Sequence, residues 1–218
     1  MEVLLHAATA VRTALAYESE TSDSGLDSTS LWLTRQAVIP PSLWSTTGGK
    51  SPLIVFEDSN LDLAAQWAHL GFTSMILKYP VGQPFEEKTY LGPLVSKAHF
   101  HRMREYVSLG KEEGAKDILD GYMPSRFKKG YFVSPSIFVD VKPSMRIYQE
   151  ETFGPCAVVL KFKDEDEAVR LANDSMYGLG SALSTENISK AHNVARRIEA
   201  GMVWVNSNNY SDFRVPFG

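Results

Sequence analysis

The sequence predicts an α/β fold, in which an open, mostly parallel sheet is covered by helices. Short apolar runs typical of buried strands alternate along the chain with segments whose apolar residues recur at helical spacing. This alternation puts a helical connection between successive strands, and such connections build parallel sheets. Hydrophobic residues make up 44% of the 218 residues, which is enough to fill a core.

The first predicted elements lie between residues 52 and 114. The apolar run PLIVF at 52–56 is typical of a buried strand, and LDLAAQWAHLGF at 61–72 has the spacing of a helix. A longer helix is predicted over 96–114, where Ser96 can act as the N-cap. The apolar residues on the buried face of this helix are Phe100, Met103 and Val107.

Strands and helices continue to alternate through the second half of the chain. Asp164 and Glu167 form a capping-box pair ahead of one helix, and a second helix over 188–201 is expected to end at Gly201. The predicted strands of this half are 136–141, 157–162, 181–185 and 202–206.

The first 44 residues differ from the rest in composition. The stretch ESETSDSGLDSTS at 18–30 is rich in Ser, Thr and Asp and lacks the apolar residues that would bury it, which predicts a flexible linker. Pro40 and Pro41 block a helix near the end of this part. We therefore divide the chain into a divergent, largely linker-like segment at 1–44 and a folded domain at 45–218.

Composition and charge exclude several classes of protein. A formal net charge of −4 without a basic cluster argues against nucleic-acid binding. No apolar run approaches the roughly 18 residues of a membrane span. The five histidines lack zinc-ligand spacing, so no metal site is predicted. The single cysteine and the absence of a signal-peptide pattern predict a soluble, cytoplasmic protein.

Three motifs could carry chemistry. TTGGKSP at 46–52 ends like a phosphate-binding loop, but position 44 is Trp and a strand follows at once, so an ATP site is disfavoured. Cys156 is either a nucleophile or a packing residue, and its place at the start of an apolar strand favours packing. Glu150 and Glu151 are either a catalytic pair or a solvated pair, and the usual exposure of glutamate favours solvation.

Several motifs occur together and in order from about residue 47 to residue 218. They are GGKSPLIVFEDSNLDLAAQWAH, GPLVSKAHFHRMREYVSLGKEEGAK, KGYFVSPSIFVDV, YQEETFGPCAVVLKF, ANDSMYGL and AGMVWVN, followed by VPFG. This set resembles the aldehyde dehydrogenase superfamily, and 45–218 corresponds to part of that family's catalytic domain. The resemblance implies NAD(P)-dependent oxidation of an aldehyde to a carboxylic acid, in which a cysteine thiolate attacks the carbonyl and a glutamate activates water.

The chain departs from the family pattern at its catalytic residues. The family's nucleophile motif follows the helix that matches 61–72, whereas here LGFTSMILKYPVGQPF follows instead, so several dozen residues are missing. Thr46 stands where the family has its general-base glutamate, and no cofactor domain precedes it. No catalytic residue is therefore assigned. The resemblance implies two cofactor-binding residues, Glu151 as the ribose-contacting glutamate and Phe153 as the aromatic beside the nicotinamide.

These departures lead to two functional hypotheses. In the first, the chain is an aldehyde dehydrogenase family protein that is inactive as it stands, a truncated form whose binding of NAD or NADP is in doubt. In the second, it is a non-catalytic module that docks on a full-length dehydrogenase or forms a homo-oligomer. The missing block would also remove a strand, and the expected result is an exposed edge at LIVF or AVVLKF together with a tendency to aggregate.

Overall fold

The computed structural model describes the chain in several stretches. The described residues are 31–37 (backbone), 49–60, 63–64, 81–87, 89, 92–118, 127, 129–208, 210, 212 and 214–216. The expected linker at 18–30, the Pro40–Pro41 pair and Thr46 lie outside these residues. Of the helix expected over 61–72, only 63 and 64 are described, and both are helical.

Seven strands of the described residues form one sheet in the order β3-β4-β5-β1-β2-β6-β7. The strands are β1 (Leu31–Ala37), β2 (Ser51–Val55), β3 (Lys116–Asp117), β4 (Ser136–Val139), β5 (Cys156–Phe162), β6 (Ser181–Ser184) and β7 (Val203–Val205). Strands β4, β5, β2, β6 and β7 all run in one direction, whereas β1 and β3 oppose their neighbours. The sheet is therefore mostly parallel, which confirms the predicted fold class.

Four helices of the described residues connect these strands. They are α1 (Lys97–Glu112), α2 (Arg146–Gln149), α3 (Glu165–Asn173) and α4 (Ile188–Ala195). The predicted N-caps of α1 and α3 are confirmed, since Ser96 Oγ accepts from the N–H of His99 at 3.2 Å and Asp164 Oδ1 accepts from that of Glu167 at 2.8 Å. Among the described residues, no helix is long and apolar enough to cross a bilayer.

The core lies on both faces of the sheet. Alternate residues of β5 point to opposite sides, so that Val158 and Leu160 join the cluster under α1, α3 and α4 while Ala157 and Val159 join a second cluster. The buried face of α1 includes Phe100, Met103 and Val107, as the sequence predicted. Burial on both faces also explains why the predicted strands read as continuous apolar runs.

Helix α4 ends earlier than the sequence predicted. The structure ends it at Ala195 rather than at Gly201. The N–H groups of Arg196 and Arg197 bond to His192 O and Val194 O, which closes the last turn. Gly201 instead donates to Gly178 O, so its N–H takes no part in a helical hydrogen bond. The predicted stop at Gly201 was therefore wrong.

Strand β1 was not predicted, because it falls within the segment expected to be largely linker-like. It pairs antiparallel with β2 on one side, from Trp32↔Val55 to Gln36↔Ser51, and with β5 on the other. LIVF and AVVLKF, the two runs expected to leave an exposed edge, are both paired to β1. That expectation was wrong. The division of the chain at 44 stays a prediction.

Gly110 allows α1 to approach the sheet closely. A Cβ added there would lie 3.0 Å from Cδ1 of Ile147 and from Cε1 of Phe138, and both of those side chains are fully buried. We expect Gly110→Val to lower the free energy of unfolding by about 1–3 kcal/mol, because neither neighbour can move aside. Urea denaturation measures the change. The control Ser108→Ala, on the exposed face of α1, should differ in stability from wild type by no more than about 0.5 kcal/mol. Equal stability of wild type and Gly110→Val would contradict the close approach of α1 to the sheet.

Candidate functional site

The predicted cofactor residues lie on a short connection between α2 and β5, which we call the site segment (residues 150–153). The two residues that precede β2 contact this segment and the helix before it. Gly49 N donates to Glu151 Oε1 at 2.5 Å, and Lys50 Nζ donates to Ile147 O, in α2, at 2.5 Å. Lys50 is only 3% exposed. The first bond joins the GGK motif to the site segment and the second joins it to α2, each across about 100 residues of sequence.

Helix α1 holds the other side of the site segment. His99 Nε2 is hydrogen-bonded to Phe153 O at 2.5 Å, and Arg102 Nη2 donates to Glu151 O at 2.9 Å. One turn further on, the hydroxyl of Tyr106 donates to Glu150. The three helical residues are spaced by three and four positions, so they share one face of α1. This face holds the backbone carbonyls of Glu151 and Phe153 and the side chain of Glu150.

Glu150 is bound by protein groups on two sides. Arg146 forms a bidentate pair with it, through Nε at 2.6 Å and Nη2 at 3.1 Å. The hydrogen bonds from Arg146 and then from Tyr106 hold the pKa of Glu150 below its ordinary value. Burial, followed by the hydrogen bond to Glu150, raises the pKa of Tyr106. Glu150 thus acts as a structural carboxylate.

Glu151 has a different set of partners from Glu150. Its Oε1 is fixed by Gly49, and no hydrogen bond from another described residue reaches its Oε2. The two glutamates therefore do not converge on one point, which argues against a catalytic carboxylate pair. The expectation of a merely solvated pair was also wrong, because each carboxylate has a protein donor. The free oxygen of Glu151 can accept a hydrogen bond from a ligand.

Phe153 has a backbone conformation that is rare for its residue type. Its φ angle is 53°, in the left-handed region, and its ring is 38% exposed and 6.1 Å from that of His99. The hydrogen bond between its carbonyl and His99 holds this conformation. Gly154 follows, and a Cβ there would overlap Met103 Sδ. The segment thus presents an aromatic ring to solvent beside Glu151.

Cys156 is the first residue of β5 and lies inside the core. It is 2% exposed, and burial raises the pKa of its thiol to about 12, although the charge of Lys50 acts in the opposite direction. Such a thiol carries almost no thiolate at neutral pH. The interpretation of Cys156 as a packing residue is confirmed by its burial.

The sequence located part of this arrangement and missed the rest. Glu151 and Phe153 lie together as their motif indicates, while Thr46 is outside the described residues. The phosphate-loop interpretation is excluded, because Lys50 is buried and β2 begins at Ser51. The roles of His99, Arg102, Tyr106, Arg146 and Lys50 were missed. The one available signal was the polar i, i+3, i+7 pattern of α1. Within the described stretches, no group of three or more His, Cys, Asp or Glu could hold a metal ion.

The lowered pKa of Glu150 predicts a pH-dependent contribution to stability. A carboxylate with a depressed folded-state pKa stabilises the protein above its unfolded pKa, and this contribution is lost as pH falls through the folded value. Glu150→Gln should therefore be less stable than wild type at pH 7, by less than about 1 kcal/mol because the pair is partly exposed. The difference should shrink as pH falls through the folded-state pKa, which lies below the ordinary value of a glutamate. Urea denaturation midpoints of wild type and Glu150→Gln, measured across pH, give this difference in stability. Glu112→Gln, at an exposed position of α1, is the control. A stability difference that stays constant with pH would contradict the lowered pKa of Glu150.

The buried thiol predicts slow alkylation of the native chain. Iodoacetamide at pH 8 should leave Cys156 almost unmodified, because the thiolate fraction is small and the sulfur is inaccessible. The same reagent in urea should modify it fully. Intact mass spectrometry follows the reaction. Equal rates with and without urea would show that the thiol is accessible.

The hydrogen bond from buried Lys50 to α2 also predicts a loss of stability when the lysine is removed. Lys50→Ala leaves the carbonyl of buried Ile147 without this donor, so we expect a loss of about 1–3 kcal/mol in urea denaturation. Lys163→Ala, at an exposed lysine, should change stability by less than about 0.5 kcal/mol. Matching losses in the two variants would show that burial of Lys50 contributes nothing.

Comparison with known proteins identifies the family. The model of the aldehyde dehydrogenase family matches residues 71–218. An aldehyde dehydrogenase-like protein of Schizosaccharomyces pombe is 42% identical, and the alignment covers 78% of this chain and 40% of that protein. The peroxisomal aminoaldehyde dehydrogenase 1 of Pisum sativum is 36% identical, and the alignment covers 92% of this chain and 45% of that protein. The NAD+ complex of aldehyde dehydrogenase from Bacillus cereus superposes with a TM-score of 0.73 at 36% identity, covering 78% of this chain and 40% of that one.

The chain thus spans about two fifths of the length of these relatives. The alignment with the fission yeast protein is 200 positions long. It includes 78% of the 218 residues of this chain, or about 170 residues. About 30 positions of the relative therefore have no counterpart here. Because the family model matches more than half of the sequence and the relatives are identical at these levels, the chain belongs to the aldehyde dehydrogenase family.

Proposed function

We propose that this chain carries the cofactor-contacting segment of an aldehyde dehydrogenase and does not oxidise aldehydes by itself in the form given by this sequence. The family reaction is the NAD(P)-dependent oxidation of an aldehyde to a carboxylic acid. The observation that carries the proposal is the site segment, where Gly49 fixes one carboxylate oxygen of Glu151 and no described residue donates to the other, beside the exposed side chain of Phe153.

The site segment fits a nicotinamide dinucleotide in its donor and acceptor chemistry. The unbonded Oε2 of Glu151 can accept hydrogen bonds from the hydroxyl groups of a ribose, while Gly49 keeps the carboxylate in place. Phe153 offers an apolar face to an aromatic ring. NAD or NADP, when bound, supplies the hydride acceptor. The face of α1 formed by His99, Arg102 and Tyr106 keeps the segment in position.

The absence of self-sufficient catalysis is supported by the nucleophile. Family chemistry requires a thiolate, and the sequence has one cysteine. Cys156 is buried, its pKa is raised to about 12, and it belongs to the core rather than to the surface of the site segment. The roughly 30 positions of the yeast relative without a counterpart support the loss of a block that includes the family's nucleophile.

A second candidate is a non-catalytic module that associates with a full-length dehydrogenase or with itself. One observation favours it. Because β1 pairs with both β2 and β5, the sheet is continuous without the missing block, as a selected short form requires. In this proposal the protein is cytoplasmic, and a dehydrogenase subunit is its partner. Co-purification of a full-length dehydrogenase with the tagged chain would support this candidate, and recovery of the chain alone would count against it.

We expect the purified chain to show no reduction of NAD+ or NADP+ with a panel of aliphatic and aromatic aldehydes, because its only thiol is buried. Absorbance at the wavelength of the reduced nicotinamide measures the reaction. Cys156→Ala is the matched control. Turnover in wild type that disappears in Cys156→Ala would overturn the proposal.

We also expect NAD+ to bind weakly and at the site segment. Calorimetry should give a Kd no tighter than about 1 mM, or about 4 kcal/mol of binding free energy, because two contacts cannot replace a full dinucleotide site. At higher NAD+ concentrations, NMR should show shifts for Glu151 and Phe153 that Glu151→Gln removes, and no shifts in β7. Micromolar affinity would contradict the first expectation, and shifts that persist in Glu151→Gln would contradict the second.

A further inference from the structure

The sheet contains one strand whose direction does not fit its surroundings. Strands β4, β5, β2, β6 and β7 run in the same direction, and β1 lies between β5 and β2 in the opposite direction. A connection of the βαβ type produces parallel neighbours, so β1 did not enter the sheet through such a unit. It enters instead from the N-terminal side, ahead of the residues that match the family model at 71–218.

The pairing of β1 is continuous on both of its sides. All seven of its residues face β5, from Leu31↔Phe162 to Ala37↔Cys156, and five of them face β2. The sequence LWLTRQA contains neither Pro nor Gly, so each residue retains an N–H donor for a central position. Without β1, the facing backbone groups of β2 and β5 would lack partners in strands that are almost wholly buried.

The size of the missing block agrees with a lost strand. A βαβ unit, with two strands and the helix between them, occupies about 30 residues or more, so about 30 positions can hold one strand with its helical connection. About 30 positions of the yeast relative have no counterpart in this chain. The loss of one such unit would open a gap one strand wide, and β1 fills a gap of this width between β2 and β5.

We infer that the gap between β2 and β5 is a strand-binding site whose ligand is an extended, antiparallel peptide segment, supplied within the same chain by residues 31–37. The ligand is recognised mainly through backbone hydrogen bonds, as in the addition of a peptide strand to a sheet. The inference concerns how the sheet is completed, so it is independent of cofactor binding and of turnover, and it can fail while the proposed function holds.

A disulfide between β1 and β5 tests, in the full-length chain, whether residues 31–37 occupy the gap between β2 and β5. Trp32 and Lys161 are Cα partners in the register of β1 and β5, so cysteines at these two positions face each other across the strand pair. Trp32→Cys with Lys161→Cys should form an intrachain disulfide in oxidised glutathione at least tenfold faster than the control pair Ser24→Cys with Lys161→Cys. Non-reducing electrophoresis separates the products, and the buried Cys156 stays unreactive.

Each outcome of this experiment decides the inference. A monomeric disulfide supports it. A disulfide-linked dimer would mean that a second copy supplies the strand, and equal rates in the two pairs would mean that no strand lies in the gap; either result overturns the inference. As a second measurement, Thr34→Pro removes a donor in mid-strand, and it should reduce hydrogen-exchange protection of β2 and β5 amides at least tenfold, whereas Ser24→Pro should not. Unchanged protection in Thr34→Pro would also overturn the inference.

Discussion

Strand β5 runs through the interior of the sheet with six of its seven residues buried, so its backbone groups must find partners within the protein. Strand β4 provides them on one side and β1 on the other. Alternate side chains of β5 enter the two hydrophobic clusters, which ties both faces of the core to this strand. Its first residue is Cys156, and the site segment ends three residues earlier. The position of the candidate site therefore depends on the pairing of β5.

The site segment is held from two directions by groups of different chemistry. Gly49 bonds to it from the residues before β2 while Lys50 holds the preceding helix α2, and the face of α1 approaches from the other side. The two glutamates are separated by these contacts. Glu150 neutralises Arg146 and stabilises the fold, while Glu151 keeps an oxygen available. One sequence motif thus combines a structural carboxylate with one whose second oxygen has no donor among the described residues.

Local patterns in the sequence predicted the helices and strands that depend mainly on residues close together in the chain. The run PLIVF predicted β2, and Ser96 with the apolar face of α1 predicted that helix to within two residues at its end. The stretch LWLTRQA was missed because it shows no alternation of apolar and polar residues, and its partners are far away in the sequence. The contacts of Tyr106 and Lys50 were missed for a similar reason, since they depend on how α1 and β2 lie against a turn about 45 and 100 residues away.

The long-range pairing of β1 has a consequence for how the chain folds during synthesis. Leu31 is paired with Phe162, so a strand made early must wait until about 130 more residues have been translated. At roughly 5–20 residues per second, this delay is on the order of 10 s. Folding of the sheet is also slowed by the entropy of closing so large a loop. During that interval β1 and β2 can pair with each other, but their outer edges lack the partners β5 and β6 and are open to pairing with other chains.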